Sequence, residues 1–372
     1  MAVVTTAGLM RHGEEAWSHD DSSFRVFGAD ERDLVVGHVS MNFDRSGAAL
    51  DRNVFYPVDR LAELAADGVI GSVADRHISF MGALRDMDLL STIILDTGPA
   101  AAKILRDDSV DAVVITPVCP ACSRTVTVLG HVLETAGLST VVLASNMLIT
   151  ERARPPRALF CDFPLGRPLG RPADPLFQRR VLEAALALLD RREGPVLEVF
   201  PETIEDDSDT PVACVLPPRY DPATPAAVDE ARALRPAWER AQSKLPATQV
   251  GRRIAPADIP NAVEMMLAIS HGARWSEVFA DEDEMFQTAM DIRMYYEETA
   301  FGLADHVPAA RSAEAWFYQR TETGKLLRDV VRVLRESGQE EELGLMALYY
   351  IVPLSQYDGS DRANPPWRRD DP

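Results

Sequence analysis

The fragment Thr116-Pro117-Val118-Cys119-Pro120-Ala121-Cys122-Ser123-Arg124 carries the chemistry most open to reading in this chain. Before it, Asp111 to Val118 is β-branched and almost wholly apolar, the pattern of a central parallel strand. After it, Val126, Leu129, Val132, Leu133 and Ala136 recur at helical spacing, and Gly137 is a stop signal. The two cysteines are therefore expected at the carboxyl end of a strand and the start of a helix, the edge where open parallel sheets bind ligands. Free N–H groups at a helix start favour a thiolate and lower the pKa of the first cysteine. The second thiol, one turn on, can attack a mixed species on the first and release it as a disulfide. Cys119 reads as the nucleophile and Cys122 as the resolving thiol.

Other readings of the same residues compete. A zinc site needs two further ligands, which Cys161 and Cys214 would have to supply, since no second Cys-x-x-Cys exists. A thioredoxin-like protein shares the dithiol chemistry, but its motif opens a smaller domain near the chain start. Arg11-His12-Gly13-Glu14 imitates a histidine-phosphatase signature, with Ser270-His271-Gly272 as a second histidine. That signature should follow an apolar strand, whereas Thr5-Thr6-Ala7-Gly8 reads as a poor strand end, and His271 ends a helix.

Around the dithiol, several residues are candidates for substrate binding. His38 and His77 follow apolar runs, and either can act as general acid because histidine titrates near neutrality. Asp44, with Arg45, can orient a polar substrate. Thr116 offers a hydroxyl at the strand end, and Arg124 can hold a carboxylate or support the thiolate. Each also has a plain structural reading as a hydrogen-bonded or surface group.

The elements that must position these residues alternate over the first two-thirds of the chain. Leu34 to Val39, Thr140 to Ala144 and Ala158 to Phe163 read as strands, and Pro57 to Ala66, Ala100 to Leu105 and Leu176 to Leu189 as helices. Strand–helix–strand spacing implies right-handed crossovers. The expected fold is a doubly wound, mostly parallel α/β domain of flavodoxin or Rossmann type, followed by an α-helical domain. The acidic, proline-rich run from Glu202 to Pro225 sets the boundary, giving residues 1–225 and 226–372. In the second part Asp281-x-x-Glu284 reads as a capping box. Met285, Ala289, Ile292, Tyr296 and Leu303 form one stripe, and Leu326, Leu327, Val330, Val331 and Leu334 another. The helical part is expected to close the site or to mediate oligomerisation.

With 372 residues, 38 Lys+Arg and 58 Asp+Glu, the chain has a formal net charge of −20. That charge excludes nucleic acid and anionic membrane as expected partners. No run reaches the ~18 uncharged apolar residues of a membrane span, the most apolar stretch being Gly344 to Leu354. There is no signal-peptide pattern, and four cysteines in so long a chain are no disulfide framework. A cytoplasmic protein is expected.

A set of fragments gives these readings a family. They are Thr5-Thr6-Ala7-Gly8-Leu9, Asp33 to Ser40, Asn42-Phe43-Asp44-Arg45, Pro57-Val58-Asp59-Arg60-Leu61 and Gly71-Ser72-Val73-Ala74, then His77-x-Ser79-Phe80-Met81-Gly82, Cys119-Pro120-Ala121-Cys122 and Asp162-Phe163-Pro164-Leu165-Gly166. Together they resemble the B-component family of glycine, sarcosine, betaine and D-proline reductases, as far as about Leu189. The resemblance implies that Cys119 occupies a position held by selenocysteine in selenoprotein members. It also implies a reductive cleavage of a carbon–heteroatom bond in a small polar substrate. A thiolate is a weaker nucleophile than a selenolate, so an easier substrate or a slower reaction is expected. No bound cofactor is expected. Electrons would come from an external thiol or a thioredoxin-type reductant, and a partner reductase subunit and a homo-oligomer are expected. The alternatives are a thiol–disulfide oxidoreductase and a non-catalytic ligand-binding or scaffold subunit of a reductase complex.

Overall fold

The computed structural model describes all residues except 85, 192, 205–211, 213–215, 344–346 and 357–372. Cys214, much of the acidic boundary run and part of the apolar stretch after Gly344 lie outside the described residues. The chain divides into two compact units, Met1–Val39 with Phe43–Asp206, and Ser40–Asn42 with Asp207–Pro372.

The first unit is built on a seven-stranded sheet. Its strands are β1 (Ala2–Thr5), β3 (Phe24–Gly28), β5 (Arg76–Phe80), β6 (Ala112–Thr116), β7 (Ser139–Ala144), β8 (Arg157–Phe160) and β9 (Val196–Val199), in the order β3-β5-β1-β6-β7-β8-β9. All neighbours run parallel except β3 against β5. A small antiparallel pair, β2 (Leu9–Arg11) and β4 (Leu34–Val36), stands apart from it. The expected strand at Leu34–Val39 is thus buried but shorter, and it lies outside the main sheet.

The helices of this unit are α1 (Ser46–Leu50), α2 (Val58–Ala66), α3 (Met87–Thr92), α4 (Gly98–Asp107), α5 (Cys122–Thr135), α6 (Met147–Ala153) and α7 (Pro175–Ala187). They cover both faces of the sheet, which explains the continuous apolar strand sequences. Because side chains alternate along a strand, Val3, Val114, Val141 and Leu159 join one core with Leu61, Leu64 and Val181. Val4, Val113, Ile115 and Val142 join the other with Ala101, Leu105, Val126 and Leu129. Each such fully buried side chain contributes about 1.5–3 kcal/mol relative to exposure.

β1 lies between β5 and β6. The chain goes from β1 to β5 on one side, and from β6 it steps outward through β7, β8 and β9 on the other. The strand order therefore reverses between β1 and β6, and the carboxyl ends of strands at such a reversal are where open parallel sheets bind ligands.

The second unit is helical in its described residues, with α8 (Ala226–Gln242), α9 (Ile259–Ser270), α10 (Trp275–Val278), α11 (Glu282–Gly302), α12 (Ser312–Arg320), α13 (Glu322–Glu336) and α14 (Glu340–Leu343). Asp281 caps α11 by accepting from the Glu284 amide at 2.8 Å, while the Glu284 carboxylate accepts from Ala280 rather than from Asp281. The expected stripe on α11 is wider than one face, since Met285–Gly302 is buried at nearly every position, polar residues included. On α13 the stripe is as expected, with Leu326, Leu327, Val330, Val331 and Leu334 buried and Arg328 and Arg332 exposed. No helix among the described residues is long and apolar enough to cross a membrane.

Candidate active site

The dithiol stands at the reversal between β1 and β6. Pro117 and Pro120 stiffen the turn out of β6, and α5 begins at Cys122 with no side-chain cap. One of the amides left over at this helix start is taken by sulfur, since Cys122 N–H donates to Cys119 Sγ at 3.2 Å. The two sulfurs are 2.8 Å apart. Both cysteines are buried, at 1% and 0% exposure. The Thr6 carbonyl, just past β1, lies 3.5 Å from Cys122 Sγ.

His38 completes the cluster, its Nε2 lying 3.2 Å from Cys122 Sγ. Its position is fixed from the backbone. Arg45 donates to the carbonyls of His38 and Val36, at 2.7 and 3.3 Å. The Arg45 guanidinium also covers the Phe43 ring at 4.5 Å, and that ring meets the imidazole edge-on at 5.2 Å. Arg45 thus acts on His38 rather than facing a substrate.

The electrostatics correct the sequence expectation. Burial works against charge on both sulfurs. On Cys122 it is outweighed by the hydrogen bond from Cys119 and by His38, and its pKa falls well below the usual thiol range. On Cys119, burial together with Cys122 pushes the pKa well up. Cys122 is the lowered thiol because it shares a hydrogen bond with Cys119 and has His38 Nε2 within reach. Cys161 is a buried free thiol pushed up to about 12 by burial alone.

The remaining candidates are placed apart from the sulfurs. His77 on β5 uses Nδ1 to accept from Val3 N–H at 3.0 Å and packs against Tyr56. Burial, then the charge of the chain's amino group, lowers its pKa to about 4, so it is neutral at ordinary pH. Asp44 is buried in an ion pair with Arg167 at 2.6 Å, and it also accepts from Ser46 and the Gly47 amide. The Thr116 hydroxyl donates to the Phe55 carbonyl. Arg124 reaches Met87 Sδ at 3.3 Å. His38 is thus the candidate that the structure brings to the dithiol.

Two residues escaped the sequence reading as site members although they lie in the fragments above. Gly82 follows β5, and a Cβ there would fall 2.4 Å from Cys122 Sγ and 2.8 Å from Thr6 Cβ. Only glycine leaves room for the sulfur. Gly166 has φ +97°, and a Cβ would lie 2.1 Å from the Asp44 carbonyl oxygen. It lets the loop approach closely enough for Arg167 to pair with Asp44.

The imitation phosphatase signature has other work. Ala2–Thr5 is in fact a strand, against the expectation of a poor strand end. Yet Arg11 is held by Glu14 and Glu31, and His12 lies beside Asp33.

His38, Cys119 and Cys122 form a group whose ligand atoms lie within 4.8 Å of one another, the spacing in which a metal ion can be held. Two sulfurs bound at about 2.3 Å to one tetrahedral ion stand about 3.8 Å apart. At 2.8 Å these two are arranged for bonding to each other.

Curated relatives of the chain are reductase subunits. The chain is 30% identical over 192 residues to the D-proline reductase subunit gamma of Acetoanaerobium sticklandii, covering 51% of this chain and 77% of that protein. It is 26% identical over 205 residues to the sarcosine reductase complex component B subunit beta of Peptoclostridium acidaminophilum. It is 27% identical over 206 residues to the glycine reductase complex component B subunit gamma of Carboxydothermus hydrogenoformans. The matches cover 51% and 52% of this chain but only 45% and 46% of those two proteins, less than half their length. No family model matches the chain, and no solved structure matches it.

Proposed function

Because this chain belongs to the family of B-component subunits of the D-proline, sarcosine and glycine reductases, we propose that its dithiol reductively cleaves a carbon–heteroatom bond of C–N type in a small polar substrate. Cys119 attacks the carbon, a C–S bond forms, and the heteroatom leaves with the bonding pair and takes up a proton. Cys122 then attacks the Cys119 sulfur. The S–S bond forms, the C–S bond breaks, and the carbon leaves with the electron pair and is protonated. The balance is R–X plus two thiols giving R–H, HX and a disulfide. An external thiol or thioredoxin-type reductant restores the dithiol.

This chemistry restricts the substrate. A carbon leaves as an anion only when that charge is stabilised, so the reacting carbon should adjoin a carbonyl or carboxyl group. The substrates in the relatives' names, D-proline, sarcosine and glycine, each carry nitrogen on such a carbon. The observation that carries the reading is the 2.8 Å sulfur–sulfur separation at the strand-order reversal. The test is a trap. Cys122→Ser, incubated anaerobically with an amino-acid panel, should accumulate a covalent adduct on Cys119 detectable by peptide mass spectrometry.

A second reading is a non-catalytic subunit of a multi-subunit reductase, for which a partner chain supplies the chemistry. The near-complete burial of both sulfurs favours it. Failure of Cys122→Ser to trap any adduct, with wild-type protein consuming no thiol, would select it.

A further inference from the structure

We infer that His38, Cys122 and Cys119 form a proton relay in which the resting negative charge sits on Cys122 and is passed to Cys119 when Cys119 attacks. The inference rests on the dithiol reading and gives His38 a direct part in it.

The geometry sets the order. The sulfurs are 2.8 Å apart, within reach of a proton shared between them. His38 Nε2 is 3.2 Å from Cys122, so it serves the second sulfur. The imidazole has little freedom to turn away, because its backbone is tied by Arg45 and its ring is edged by Phe43. Facing the relay are the Thr6 carbonyl beside Cys122, the Cys122 amide on Cys119, and the Arg45 guanidinium on the His38 carbonyl. Arg45 keeps its proton at all working pH values, so it positions the relay without entering it.

The relay accounts for both steps with balanced protons. At rest Cys119 holds one proton and His38 holds the other, opposite the Cys122 thiolate. As Cys119 attacks, its proton passes to Cys122, and His38 protonates the departing heteroatom. Cys122 then returns its proton to His38 and attacks the Cys119 sulfur. His38 gives that proton to the departing carbon. Two protons leave, one in HX and one in R–H, and two electrons leave in R–H, so the disulfide stays behind on the protein.

The test needs no substrate. Thiolate is followed by its ultraviolet absorbance in wild type, Cys119→Ser, Cys122→Ser and His38→Gln, and alkylation by iodoacetamide is mapped to each cysteine. Wild type should show about one thiolate per chain at neutral pH, and Cys119→Ser should keep it. Cys122→Ser and His38→Gln should lose it. Alkylation of Cys119 in those two variants should slow at least severalfold, because no neighbouring base then takes its proton as it attacks. If His38→Gln does not fold, the two near-isosteric cysteine variants decide alone. Retention of the thiolate in Cys122→Ser, with Cys119 alkylated at the wild-type rate, would overturn the relay and leave activation to the helix start. A correct thiolate pattern without substrate turnover would keep the relay and reject the reductase reading.

Discussion

Two buried polar regions of this protein handle charge in opposite ways. On α11 in the helical unit, the Asp291 carboxylate accepts four backbone amides, from Gly251, Arg252, Arg253 and Ile254. Nearby Arg293 is fully buried between Glu297 and Glu314. Their donors, amides and a guanidinium, do not release protons at ordinary pH, so the networks lock structure. In the α/β unit, Cys119, Cys122 and His38 are just as buried, yet each can gain or lose a proton. Burial alone therefore does not separate scaffold from chemistry. What separates them is whether the neighbours of a buried group can themselves titrate.

The largest effect that sharpens this contrast is expected at Arg293. Arg293→Met strands two buried carboxylates, and breaking such a pair costs about 3–5 kcal/mol. Urea unfolding should detect it, and an unchanged midpoint would mean the network is not what holds α11. A slightly smaller effect is expected from His77, which is buried like His38 but held neutral. Its pKa is near 4 in the folded chain and 6.5 when unfolded. The unfolded state binds the extra proton, so the stability from neutral His77 is full above about pH 6.5 and declines towards pH 4. The loss is about 3 kcal/mol. His77→Gln should flatten that part of the stability–pH curve, and an identical curve would assign the loss to other groups. The smallest effect is expected at Gly82. Gly82→Ala should cost about 1–3 kcal/mol by overpacking and push Cys122 Sγ away from its partners. Loss of the thiolate signal with the fold retained would mark Gly82 as a positioning residue, whereas an unchanged signal would show that the sulfur has room to spare.

These residues also show where the sequence was legible. The strand–dithiol–helix unit around Cys119 could be read because its apolar runs are local and its periodicity changes within a few residues. β1 was missed because Ala2–Thr5 is four residues long, and β5 because His77 and Ser79 interrupt its apolar pattern. Those polar residues are paid for by partners some 70 positions away, Val3 for His77 and Leu9 for Ser79. Phe24–Gly28 is a half-exposed edge strand with little hydrophobic signature. His38 was found as a candidate from its place after an apolar run. That it would face Cys122, while His77 would turn to the backbone, depends on contacts spanning 84 and 74 positions, which no local pattern encodes. The partner of Asp44, Arg167, lies 123 positions on, so Asp44 read as a substrate ligand rather than an ion-pair member.

The most direct test of the central claim is a single-turnover balance. Fully reduced protein, freed of external thiol, is mixed anaerobically with an amino acid that traps on Cys119 in the Cys122→Ser variant. Free thiols, the Cys119–Cys122 disulfide and the cleaved product are then counted together. The account predicts two thiols lost and one intramolecular disulfide formed for every molecule of R–H released. Product formed with both thiols intact, or a disulfide formed with no cleaved carbon product, would contradict it.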